Sequence, residues 1–69
     1  MKHYLELTDV SNRAVFIAAE EISVIIDIGG GNCSIVSVGA QAAIQVKSTH
    51  QQVIKMLVDK GLFTLIKQG

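Results

Sequence analysis

The sequence predicts an α+β fold that is mainly β: a four-stranded antiparallel sheet made of two hairpins, one C-terminal helix, and a short apolar tail that can add a fifth strand. Three observations carry this expectation. Several short segments alternate or run β-branched in the manner of strands, residues rich in Gly, Asn, Asp and Ser punctuate them, and a helical stripe is confined to the stretch after residue 48.

Residues 3–8 open with strict alternation, Leu5 and Leu7 on one face and Tyr4, Glu6 and Thr8 on the other, which is the period of a half-buried strand. Asp9-Val10-Ser11-Asn12-Arg13 supplies turn formers, and residues 14–18 (Ala-Val-Phe-Ile-Ala) can return as a hairpin partner. Ala18-Ala19-Glu20-Glu21 lacks strand character and reads as a tight turn or bulge that redirects the chain.

Residues 22–28 resume as a β-branched strand, with Ile22, Val24, Ile26 and Ile28 expected on one face and Ser23, Ile25 and Asp27 opposite. A strand apolar on both sides suits an interior position or an interface. Gly29-Gly30-Gly31-Asn32 then reads as a hairpin loop, because glycine and asparagine tolerate the positive φ angles such turns need. A phosphate-cradling loop would require a following helix and usually a Gly-Lys-Ser/Thr ending, whereas Cys33-Ser34-Ile35-Val36-Ser37-Val38 is strand-like.

Gly39-Ala40-Gln41 makes a short turn into the last strand of the sheet, residues 42–47, with Ala42, Ile44 and Val46 inward. Ser48 with Gln51, or Thr49 with Gln52, has the capping-box spacing for a helix start. Val53, Ile54, Leu57 and Val58 form its apolar stripe, and Gly61 after Lys60 is a left-handed stop. Beyond that stop, Leu62, Phe63, Leu65 and Ile66 are large and apolar, where a disordered tail would be polar. They are expected to pack, either as a fifth strand or, preferentially, against a neighbouring subunit.

Composition narrows the function classes. Sixty-nine residues make a single small β-rich domain, 1–69, whose size leaves it short of buried surface. Cys33 is the only cysteine, so an internal disulfide is excluded and a reducing compartment fits. His3 and His50 lack the spacing of a zinc site. Oligomerisation is the stabilising device that remains, and an apolar content of 49% against 17% charged residues points the same way. The apolar runs are too short and interrupted for a membrane span, and Met1-Lys2-His3-Tyr4-Leu5-Glu6 lacks the pattern of a signal peptide, so a soluble, cytoplasmic protein is expected in a bacterial or phage-infected cell. Six basic residues balance six acidic ones, which argues against nucleic acid as a partner.

No constellation of catalytic residues emerges, and neither an enzymatic activity nor a cofactor or metal is expected. Glu20 and Glu21 read as a solvated corner, and Cys33 as a buried strand residue in place of a nucleophile. The candidate ligand-binding residues are Arg13, the only arginine, with Lys47, Ser48, Thr49 and His50 at the helix start, a combination suited to an anion.

Taken in order, Leu5-Glu6-Leu7-Thr8, the Val15-Phe16-Ile17 strand, Ile22 and Ile25 after a corner, Ser34-Ile35-Val36-Ser37-Val38-Gly39, Val46-Lys47-Ser48 and a helix with Val53 and Ile54 resemble small flagellar or swarming-motility proteins of the FlbD type, which have phage-borne look-alikes. The resemblance covers about residues 4–58 and rests on hydrophobic spacing. The chain departs from it at Asn12-Arg13, where glycine is usual, at Ala18-Ala19, where asparagine is favoured, and at Lys47, where an acidic residue is common. The strand pattern is also similar to part of the LytTR-type DNA-binding fold, without that fold's basic residues.

The expectation is therefore a non-catalytic binding or assembly module acting as a homo-oligomer, of the kind phage or prophage carry as accessory proteins. Its partner would be a second copy of itself, with another protein or a small anionic ligand or nucleotide held between subunits as the alternative. A flagellar or DNA-binding regulator is the third reading. The apolar tail, Leu62, Phe63, Leu65 and Ile66, is the expected oligomer interface.

Overall fold

The computed structural model describes residues 3–39, 42–66 and 68. Five strands precede one helix: β1 (Tyr4–Thr8), β2 (Ala14–Ala18), β3 (Ile22–Gly29), β4 (Asn32–Ser37), β5 (Ile44–Val46) and α1 (His50–Asp59), with a 3-10 turn at Ala19–Glu21. The expected single sheet of four strands is corrected by this arrangement. β1 and β2 form a two-stranded antiparallel sheet, and β3, β4 and β5 form a three-stranded one. The chain bends between them because the corner at Ala19–Glu21 is helical, which ends β2 and re-aims β3. At the other end the sheets meet through a bridge between Asp9 and Val46. Two backbone bonds flank it: Lys47 N–H donates to Thr8 C=O (2.9 Å) and Val10 N–H to Gln45 C=O (3.1 Å).

Each turn has a local cause. In the β1–β2 turn the side chain of Asp9 accepts the backbone N–H groups of Ser11 and Arg13 at Oδ1, both at 2.9 Å. The backbone closes when Asp9 N–H donates to Arg13 C=O, and Asn12 sits at φ 65, a left-handed position that asparagine tolerates. In the β3–β4 turn, Gly30 and Gly31 have φ 65 and 80, the pair of positive angles of a two-residue hairpin turn. Of the expected turn at residues 39–41, only Gly39 lies within the described residues, at φ 81.

The helix is capped at both ends. Thr49 Oγ1 accepts the Gln52 N–H (3.2 Å) while the Gln52 side chain accepts the Thr49 N–H (3.0 Å), so the Thr49 choice of capping box is the one realised. At the far end Gly61, φ 72, donates to Val58 C=O and Leu62 N–H donates to Leu57 C=O, the bond pair of a Schellman motif. Leu62 completes it by packing on the core.

One core serves both sheets and the helix. Leu5, Leu7 and Ile17 come from the first hairpin, Ile22, Cys33, Ile35 and Val46 from the second sheet, and Val53 and Leu57 from α1, with Ala19 at the corner. The tail is the second correction: residues 62–66 contain no strand, so the fifth strand is not contributed by the tail. The Schellman motif turns Leu62 back onto the chain's own core, and Phe63, Thr64 and Leu65 after it lie beside α1 and the inner side of β3 without pairing as a strand. The tail positions 67 and 69, and residues 1–2 at the start, lie outside the described residues.

Candidate functional site

β3 is the strand whose exposed side chains are most apolar. Its pairing with β4 is irregular at both ends, with register shifts between Ile22 and Val24 and between Asp27 and Gly29. Between those shifts the ladder is regular: Val24, Ile25, Ile26 and Asp27 oppose Val36, Ile35, Ser34 and Cys33. The first shift inserts a residue and reverses which side chains face the core. Ile22 is buried, yet from Val24 onward the parity changes, so that Ile25 packs on the core cluster. The expected common face of Ile22, Val24, Ile26 and Ile28 is thereby corrected. Val24 and Ile26 point away from the core and are 46% and 48% exposed, and Ile28, within the second shift, is 43% exposed.

Val24 and Ile26 lie on a sheet face that also carries Val36, opposite Val24 in the ladder. β3 is the terminal strand of its sheet, and no other strand pairs with its free edge among the described residues. The strand offers unpaired backbone groups along that edge and an apolar row on its outer face.

On the inner side, β3, α1 and the tail enclose a shallow apolar cleft of about 250 Å³, lined by Ile22, Ser23, Ile25, Ile54, Leu57, Val58, Phe63, Thr64 and Leu65. The residues expected at an oligomer interface therefore divide. Leu62 packs on its own core, Phe63 and Leu65 line this cleft, and Ile66 is 88% exposed.

The candidate anion-binding residues divide as well. Arg13 is held by Asp9, its Nε and Nη2 each 2.9 Å from Oδ2. Lys47 Nζ donates to Asn12 Oδ1 in the same turn, which brings Arg13 and Lys47 to one corner of the molecule. Thr49 is engaged in the capping box, and half-buried Ser48 borders a different depression with Glu6, Gln52 and Lys55. His50 lies elsewhere, with Nδ1 at 3.8 Å from Oδ2 of Asp27 on β3.

Asp9, a turn former by sequence, is a polar residue of larger structural consequence than its turn position implies. Its carboxyl is buried, and the Arg13 N–H, followed by the Ser11 N–H and the Arg13 guanidinium, holds its pKa below the usual carboxylate range against the opposing effect of burial. The signal for it was the Asp-x-Ser-Asn-Arg string, in which a carboxylate can bond the backbone two residues on. Glu20 is the second tie. Its carboxylate accepts His3 Nδ1–H at 2.6 Å and the His3 N–H, and these two bonds lower its pKa to about 2. Cys33 is buried in β4, and desolvation followed by the nearby Asp27 charge pushes its thiol pKa up, the reverse of what a nucleophile requires.

Among the described residues no group of three or more His, Cys, Asp or Glu side chains could hold a metal ion, and no helix is long and apolar enough to cross a membrane. Comparison with known proteins finds no matching family model, curated protein or solved structure.

Proposed function

We propose that the chain is a non-catalytic assembly module that works as a homo-oligomer. The observation that carries this reading is the exposed apolar pair Val24 and Ile26 on a strand whose free edge has no partner strand among the described residues. The chain exposes 4919 Å², against about 4,200 Å² for a compact monomer of this mass, an excess of about 700 Å². A standard interface buries about 800 Å² on each partner, so the excess is of the size one contact removes. The chain is not expanded: its radius of gyration is 11.6 Å, close to the ~11 Å of a folded chain this long.

The geometry favours this reading over an anion site. Arg13 and Lys47 share a corner, but each already has an oxygen partner within the turn, and His50 is paired with a different carboxylate. The FlbD-type resemblance adds a second line towards a small β-rich accessory protein, carried by the hydrophobic spacing of residues 4–58.

Subunit association stabilises by mass action, so the melting temperature of the purified chain should rise with protein concentration. A melting temperature that stays constant over a hundredfold dilution, about two decades in the mass-action expression, would remove the basis for this proposal.

A further inference from the structure

The geometry points to a second copy of this chain as the occupant of the β3 edge, added antiparallel so that two three-stranded sheets join into one of six strands. This inference rests on the assembly reading and names its contact.

Natural edge strands discourage such pairing with lysine, proline, bulges or short length. β3 spans eight residues and contains neither lysine nor proline. Its irregularities lie at its two ends and leave Val24, Ile25, Ile26 and Asp27 as a regular central segment. The other sheet ends in β2, which is only five residues long and bears one large exposed apolar side chain, Phe16. β3 is therefore the more adhesive edge.

Symmetry then limits the register. Antiparallel pairing of a strand with its own copy is isologous, with a two-fold axis normal to the sheet. Directly opposed residues must lie on the same face, so the sum of their numbers is even and one central residue opposes itself. Centring on Asp27 would set two carboxylates directly opposite, which is unfavourable. Centring on Ile25 or Ile26 avoids this and keeps the charge of Asp27 beside His50 on the inner side. In both registers Val24 and Ile26 of the two copies run together as one apolar stripe. Summed over the whole chain, the exposed excess of about 700 Å² is of the size each partner in one stable contact buries.

The full chain and two variants test this by light scattering, with far-ultraviolet circular dichroism as the check on folding. The double variant Val24→Lys, Ile26→Lys places like charges opposite one another in either register, and both side chains are exposed in the monomer. The wild type should have twice the chain mass and the double variant half the wild-type mass, while Phe16→Lys keeps the wild-type mass. A double variant that retains the wild-type mass, or a halving by Phe16→Lys, would overturn the β3 contact while leaving the assembly reading intact. A monomeric wild type would overturn both. Should the double variant fold poorly, hydrogen exchange of the wild type decides: amides of Val24, Ile25, Ile26 and Asp27 should include some whose protection falls on dilution, and concentration-independent exchange there would refute the contact.

Discussion

The two hairpins of this small protein are built alike and finished differently. β1–β2 has its turn tied by a buried carboxylate, its start stapled by His3 to Glu20, and an outer face that mixes Glu6 and Thr8 with Tyr4 and Phe16. β3–β4 turns on two glycines and presents Val24, Ile26 and Val36 on its outer face. The first hairpin draws its order from side-chain bonds within the chain. The second has few such bonds and an apolar face that the chain itself leaves in water. Within β3, Ile25 packs on the core while Val24 and Ile26 stay exposed.

That contrast can be broken or sharpened by experiment. The largest effect is expected from Leu57→Ala, which empties a fully buried site in the core common to both hairpins and costs about 2–5 kcal/mol. In a domain this small the variant should lose its cooperative thermal transition, or show it far below the wild-type temperature. Gly30→Ala forces a side chain into a left-handed position of the glycine turn and should cost about 1–2 kcal/mol. Denaturant titration checks the size, and hydrogen exchange should place the loss in β3 and β4 first. Thr49→Ala removes the hydroxyl half of the capping box and should cost about 1 kcal/mol, with fraying at the first turn of α1 and both hairpins retained.

Acid should act on the other hairpin. The folded-state pKa values of Glu20 and Asp9 are depressed, so the stability they contribute is complete above their unfolded values of 4.5 and 3.8. It declines as pH falls through that range, for Glu20 towards about 2, because protonation then costs more in the folded chain. Amide exchange followed between neutral pH and pH 2, about the folded-state value for Glu20, should show Ser11 and Arg13 losing protection before Cys33 and Ile35. Simultaneous loss would show that the Asp9 turn is no separate tie.

Much of the architecture was legible in the sequence because its signals are local. The alternation around Leu5 and Leu7, the Gly30-Gly31 turn, the Thr49/Gln52 box and the Gly61 stop each depend on residues a few positions apart. The orientation of β3 was not legible. A one-residue shift at Ser23 reverses the side chains from Val24 to Asp27, and no composition distinguishes a strand with that shift from one without it. The segregation into two sheets was hidden for a related reason. It depends on a helical corner at Ala19–Glu21, and the two sheets rejoin through a bridge from Asp9 to Val46, residues far apart in sequence. Of the candidate site residues, Arg13 and Lys47 do converge, but their carboxylate and amide partners were not foreseen, because Asp9 and Asn12 had been read only as turn formers.

The most direct test of the central claim is the mass of the native chain in solution, measured by size-exclusion chromatography with light scattering at micromolar concentration. With a second copy on the outer edge of β3, as proposed, the result expected is twice the 7.4 kDa chain mass. A mass of one chain throughout the micromolar range would mean that β3 stands uncovered in water, and would contradict the account.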